Sequence, residues 1–203
     1  MHYTKKQIEE FSHLYKINLM NSISGFKSAN LIATKSKDNY TNVAVFSSVM
    51  HYGSSPAILG FVLRPTTVIR NTYNNIKETG FYTINAINES IIDDAHHTSA
   101  KYSAEISEFN KTNLNTEYKN GFYAPFVKES PLKIGMKFLE EHPIKVNGTI
   151  LVLGEVLDLH FDDDMILDDG MLDLSAKKIT TINGLDTYLV PKEKRKLSYQ
   201  RPK

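Results

Sequence analysis

The stretch from Ser55 to Asn85, S-P-A-I-L-G-F-V-L-R-P-T-T-V-I-R-N-T-Y-N-N-I-K-E-T-G-F-Y-T-I-N, holds three structural elements in one reading frame. Ala57 to Leu63 is an unbroken apolar run of seven, opened by Pro56 and containing Gly60. That length suits a strand buried on both faces better than a short helix. Ile69, Tyr73 and Ile76, with Thr72 between them, then fall on one helical face, and Gly80 sits where a helix C-terminal glycine belongs. Tyr82, Ile84 and Ala86 alternate with Thr83 and Asn85, the period of a half-buried strand.

The joint between the first strand and the helix carries the chemistry. Arg64 and Arg70 bracket the expected helix start, Thr66 and Thr67 are its natural caps, and the first acidic residue, Glu78, comes only at the far end. The positive end of a helix dipole favours carboxylates and disfavours arginine. Two arginines and two hydroxyls there make physical sense if an anion, above all a phosphate, is bound among them. The alternative is that Arg70 is a solvated helix residue and Arg64 a surface cation.

Outward from this unit, 203 residues without a Pro/Gly/Ser-rich linker fit one domain, 1–203, with a sizeable core. Lys+Arg 24 against Asp+Glu 23 gives a formal net charge of +1, so no global field draws the chain to nucleic acid or to a membrane. There is no cysteine, which excludes disulfides, thiol catalysis and cysteine-ligated metals; redox chemistry must come from a borrowed cofactor. The first twenty residues carry Lys5, Lys6, Glu9 and Glu10 without an apolar core, and no apolar run reaches bilayer length, so a cytoplasmic protein is expected.

Thr4 to Gln7 has the capping-box pattern T-x-x-Q, with Ile8, Phe11, Leu14 and Tyr15 following at helical spacing. Such an amphipathic helix covers an open end of a sheet or a partner subunit. Ala29 to Thr34 and Thr41 to Met50 read as a hairpin around K-S-K-D-N-Y. The second strand ends in small hydroxyl residues, and Asn42, Ser47 and Ser48 place polar groups at the mouth of a β core, where a planar heterocycle can be hydrogen-bonded. Ordinary strand-edge polarity is the competing account.

Ser90 is read as the cap of a short helix over Ile91 to Ala95. The adjacent His96 and His97 share neither a helix nor a strand face, so they make no zinc site, whereas Thr98 and Ser99 offer hydroxyls near a loop. Tyr102 to Pro125 is a polar excursion with a short helix around Ser107 to Asn113, a lid candidate. Leu132 to Phe138 alternates as a strand with one wet face. Asn147-Gly148 predicts a hairpin turn into the longest strand, Thr149 to Phe161. The acidic patch Asp162, Asp163, Asp164, Asp168, Asp169 and Asp173 fails the EF-hand template because Ile166 occupies a ligand position, leaving a solvated acidic loop. The basic tail K-E-K-R-K-L-S-Y-Q-R-P-K comes with no aromatic platform, so nucleic-acid binding is not expected.

The blocks N-V-A-V-F-S-S-V, S-P-A-I-L-G-F-V-L-R-P, N-I-K-E-T-G-F-Y-T-I-N, H-T-S-A-K-Y-S-A-E-I-S-E-F, V-K-E-S-P-L-K-I-G-M-K-F and L-V-L-G-E-V-L-D-L-H follow one another in an order that resembles the flavin reductase-like family with an FMN-binding split barrel. The resemblance runs from about Asn21 to Pro202 and points to the branch related to reductase components of two-component flavin monooxygenases. It implies a mainly β (α+β) fold, a six-stranded antiparallel split barrel with peripheral helices, and a homodimer with FMN at the subunit interface. It also implies that Asn42, Val45, Phe46, Ser47 and Ser48 lie along the isoalloxazine. Arg64, Thr66, Thr67, Arg70 and Thr72 would hold the phosphate, with His97, Thr98 and Ser99 nearby. Many relatives carry proline at the position of Val45, an acidic residue or serine at that of Thr66, and asparagine and alanine at those of His96 and His97.

The function so implied is an FMN-dependent oxidoreductase, an NAD(P)H:flavin reductase passing hydride from a nicotinamide to FMN, with a partner monooxygenase or another flavin acceptor downstream. Such chemistry belongs to the cofactor, which agrees with the absence of any Ser/His/Asp or Cys/His pattern; no catalytic residue is assigned. A non-catalytic flavin-binding electron carrier or flavin store is the alternative. A third reading is a structural or nucleic-acid module built on the basic tail.

Overall fold

The computed structural model describes residues 1–202. Two helices, α1 (Lys5–Glu10) and α2 (His13–Ser22), precede β1 (Lys27–Ser28), β2 (Asn30–Lys35), β3 (Thr41–Phe46), β4 (Met50–Ser54) and β5 (Ala57–Leu63). Then follow α3 (Asn71–Thr79), β6 (Phe81–Ala86), α4 (Ile92–His97), β7 (Thr116–Glu117) and β8 (Phe126–Val127). The chain closes with β9 (Leu132–Ile144), β10 (Thr149–Phe161), β11 (Thr181–Asn183) and β12 (Thr187–Leu189).

Seven strands form the main sheet in the order β3-β2-β6-β9-β10-β5-β4, every neighbouring pair antiparallel. The fold is therefore mainly β with peripheral helices, as expected, but with seven strands instead of six. The seventh comes from Thr41 to Met50, which is not one strand: β3 stops at Phe46, Ser47 and Ser48 bend away, and Met50 begins the short edge strand β4. The bend has a cause in Ser48, whose Oγ donates to the carbonyl of Val62 and accepts the N–H of Val62, both at 3.1 Å. Strand β4 pairs only with Ala57 to Gly60 of β5, so this one hydroxyl satisfies the backbone of β5 where the ladder has ended.

Side chains alternate across β2 into two cores. Leu31 and Ala33 join Val43, Ile87, Ile91, Ala95, Phe109 and Val127 under the peripheral helices, whereas Ile32 joins Phe61, Leu63, Ile76, Tyr82, Ile84, Met136 and Val152 inside the curved sheet. The strand reading of β6 thus holds, but the strand is not half-buried as its period suggested: Tyr82 to Ala86 are all buried, with Thr83 and Asn85 on the second face. The β9–β10 hairpin turns at Gly148, whose φ of 72° is left-handed backbone that glycine adopts without strain.

Several local expectations change. The Thr4 to Gln7 capping box forms, but the helix breaks at Phe11, whose extended backbone lets its ring meet Tyr3 at 4.9 Å and Tyr15 at 4.7 Å. Helix α3 starts at Asn71 with Arg70 as its N-cap, so Thr66 and Thr67 do not cap it. Thr66, Thr67, Val68 and Ile69 are four successive β-branched residues, stiff at χ1 and poor at opening a helix; Ile69 is 82 % exposed. Gly80 does end α3 in the left-handed conformation. Ser90 does not cap α4, because its hydroxyl donates to Asn88 Oδ1 at 2.8 Å. The wet face of β9 is dry at its start: Lys133 is buried in an ion pair with Glu117 at 2.5 Å, and Phe122 lies over Gly135.

The Tyr82 hydroxyl packs directly over Gly154. A Cβ at Gly154 would lie 2.2 Å from the Tyr82 hydroxyl and 3.0 Å from the Lys137 carbonyl. That hydroxyl is buried without a hydrogen-bond partner among the described residues, and burial raises its pKa above the ordinary tyrosine value. We expect Gly154→Ala to destabilise the fold by about 1–3 kcal/mol through overpacking. Tyr82→Phe should change stability by less than about 1 kcal/mol, since it removes an unsatisfied polar group, and should relieve part of the Gly154→Ala loss in the double variant. Urea denaturation of the four proteins checks this, and strictly additive losses would contradict the contact.

Candidate flavin site

Strand β3 is an edge of the main sheet, so half its backbone groups have no strand partner. The 3-10 turn Glu108–Lys111 packs over this edge, and Glu108 Oε2 accepts the N–H of Val43 at 3.0 Å. Alternation in an antiparallel ladder points the N–H of Val45 to the same open side. Asn42, buried, donates through Nδ2 to Thr72 Oγ1 at 2.9 Å, and Asn75 donates to Thr34 Oγ1 at 3.0 Å, so two side-chain bonds tie the start of α3 to β3 and β2.

Between β3, the end of β5, the 64–72 loop and the loop after α4 lies a cavity of about 870 Å³. That is ample for a cofactor-sized ligand. Of the residues singled out from sequence, Asn42, Val45, Phe46, Ser47, Ser48, Arg64, Arg70, Thr72, Thr98 and Ser99 line it. Thr66, Thr67 and His97 do not. The two threonines stand in the exposed turn before the helix, and His97 reaches the cavity only through Tyr102, whose hydroxyl it meets at 2.9 Å through Nε2. Four of the lining hydroxyls are engaged within the protein: Ser48 holds Val62, Thr98 donates to the Ala95 carbonyl at 2.7 Å, Thr72 accepts from Asn42, and Tyr102 meets His97.

Arg70 is half-buried, with Nε 3.4 Å from the Pro65 carbonyl, while Arg64 is exposed. Neither forms an ion pair among the described residues. Lys101 adds a third cation to the lining, and the single acidic residue there is Glu108. Sequence reading missed Glu108, Lys101, Tyr102 and Asn21, which also line the cavity. All but Asn21 lie in segments without periodicity, where only the fold brings the side chains to β3.

The chain belongs to the flavin reductase-like family, since the model for the "Flavin reductase like domain" matches residues 23–176. Among solved structures it is similar to a protein from Shewanella frigidimarina NCIMB 400 described as a flavin reductase with a split barrel domain. The two share 43 % identity and a TM-score of 0.95, over 98 % of this chain and 100 % of the other. Nitrilotriacetate monooxygenase component B from Bacillus cereus aligns over 97 % of this chain and 98 % of its own, at 16 % identity and a TM-score of 0.84. Flavoredoxin of Desulfovibrio vulgaris (Miyazaki F) aligns over 86 % and 91 %, at 20 % identity and 0.74. The last two likenesses show the shared fold.

Among the described residues no group of three or more His, Cys, Asp or Glu is placed to hold an ion. Among the described residues no helix is long and apolar enough to cross a membrane. Four of the six carboxylates of the acidic loop are ion-paired within the described residues. Lys177 pairs with Asp162 at 3.0 Å and with Asp164 at 2.9 Å, and the tail folds back so that Lys194 meets Asp173 and Lys196 meets Asp169. Lys194, with help from the Ser175 hydroxyl, brings the Asp173 carboxyl down to about 2.

Burial raises the pKa of Glu108 above its ordinary value of 4.5, partly offset by the Val43 N–H. The folded state therefore holds this proton to higher pH than the unfolded chain does. The contribution to stability is complete below pH 4.5 and is lost as pH rises through the folded pKa. We expect the stability difference between the wild-type protein and Glu108→Gln to shift against the wild type as pH rises above 4.5. Chemical denaturation across that range checks the sign; a difference that grows in favour of the wild type contradicts it.

Proposed function

We propose that the protein is an FMN-dependent oxidoreductase, an NAD(P)H:flavin reductase of the cytoplasm whose flavin lies along β3 with its phosphate at the start of α3. The observation that carries this reading is the pair of arginines without acidic partners, Arg64 and Arg70, at one end of a cavity whose other wall is the open edge of a strand. The donor set suits the cofactor. Cations and the first N–H groups of α3 match a phosphate, and the Val45 N–H with Ser47 matches the polar rim of a planar ring. When bound, FMN supplies the hydride-accepting centre. The chain's own residues hold the phosphate, align the ring against the strand and keep the cavity shielded by Tyr102 and the residues before it. Likeness to a monooxygenase component supports a partner that consumes reduced flavin. An electron carrier that holds flavin without turnover is the competing reading, favoured by the likeness to flavoredoxin. Acceleration of NAD(P)H oxidation by the protein with added FMN supports the reductase, and its absence the carrier.

Each arginine should contribute a charge-assisted hydrogen bond of roughly 1.5–3 kcal/mol, with exposed Arg64 at the low end. Arg70→Ala should then weaken FMN binding by about ten- to a hundredfold and Arg64→Ala by about tenfold. Riboflavin, which lacks the phosphate, should bind both variants nearly as it binds the wild type. Equal losses for both ligands, measured by fluorescence titration, contradict the phosphate assignment.

We also propose a homodimer. Helices α1 and α2 bury no residue, and Leu14 is 72 % and Ile23 67 % exposed on a segment whose Asn21 lines the cavity. Surface of this kind calls for a partner, and a second copy is the available one. Light scattering at micromolar concentration should give about twice 23.1 kDa. A monomer at that concentration contradicts the dimer.

A further inference from the structure

Glu108 stands apart from every other residue of the cavity. It is 5 % exposed, it is the only acid in the lining, and its carboxylate is held by a backbone N–H with no cationic partner among the described residues. The cations of the lining, Arg64, Arg70 and Lys101, come from the loops after β5 and α4, whereas Glu108 sits against the edge of β3 itself. An amide would satisfy the Val43 N–H without the cost of burying a charge. The carboxylate therefore does something that hydrogen bonding alone does not require.

Resting on the assignment of this cavity to FMN, we propose that Glu108 is a positioning residue that sets the reducing strength of the bound flavin. It holds the β3 edge through Val43 and places a negative charge beside the ring. Hydride transfer moves two electrons and one proton from the nicotinamide, which becomes a cation, to the ring, which gains one unit of negative charge. A carboxylate at the ring edge opposes that gain. The oxidised flavin is then held more tightly than the reduced one, and the reduced flavin is poised to hand its electrons, or itself, to an acceptor. Arg64 and Arg70 offset the phosphate, which carries the same charge in both redox states, and so leave this difference in place.

The test is a redox titration of the FMN-loaded protein at pH 8, well above the ordinary carboxylate range. Glu108→Gln keeps an oxygen for the Val43 N–H and removes the charge. Its affinity for reduced relative to oxidised FMN should rise about tenfold, moving the midpoint potential up by about 30 mV for the two-electron couple. Glu108→Asp keeps the charge and should stay at the wild-type potential. In the wild type the bound midpoint should lie below that of free FMN. An unchanged or lowered potential in Glu108→Gln, or an equal rise in Glu108→Asp, overturns the proposal. Should Glu108→Gln fail to fold, a wild-type bound midpoint at or above that of free FMN overturns it. Failure of the wild-type protein to bind FMN is seen before any potential is measured, and overturns the cofactor assignment together with this inference.

Discussion

The open edge of β3 is the constraint on which the rest of the structure depends. An unpaired strand edge is a hazard unless something covers it, and here the Glu108 carboxylate takes the Val43 N–H. Around it, Asn42 ties β3 to the start of α3 through Thr72, and Ser48, just past β3, bonds the backbone of β5 at Val62. Between Val43 and Ser48 the edge stays open, and there the cavity lies. The sheet is thus split at the cavity, and in the proposed reading the same feature that leaves the barrel incomplete offers backbone groups to the flavin.

The helix α3 completes the arrangement from the other side. Its buried face is Thr72, Asn75 and Ile76, two of which hydrogen-bond to the strands while the third enters the inner core. These contacts fix the direction of its N-terminus, and with it Arg70, toward the cavity. A charge placed in this way does not depend on a capping side chain. Such a terminus, with no cap and a basic residue at its start, is unfavourable by itself and becomes favourable when an anion is bound.

Much of this was legible in the sequence because it is periodic. The alternation in β6, the apolar run of β5 and the Asn147-Gly148 turn each report local geometry, and each element appears where the pattern predicts, although β5, expected to be buried on both faces, is exposed at Ala57 and only partly buried at Ile58, Leu59 and Val62. The arginines were legible for a different reason, since cations at a helix start contradict the dipole. What was hidden depends on distant pairing. Nothing near Ser48 in sequence reveals that its hydroxyl will hold Val62, and nothing near Glu108 reveals that its carboxylate will meet Val43, sixty-five residues earlier. Thr66 and Thr67 misled because cap chemistry was read without the four-residue β-branched run that delays the helix. The tail was read by charge alone, whereas Lys194 and Lys196 find their counter-ions in the acidic loop.

Electrostatically the molecule separates two regions. Around the acidic loop four of the six carboxylates are ion-paired, two of them by lysines of the tail. Around the cavity three cations and one acid are left without ion-pair partners among the described residues, which is the pattern of a site waiting for a charged ligand. The most direct measurement is a crystal structure of the protein grown with FMN. The account predicts phosphate oxygens within hydrogen-bonding distance of Arg64 and Arg70 and the ring along Val45 to Ser48. A flavin bound elsewhere, or one in this cavity with its phosphate turned away from both arginines, would contradict it.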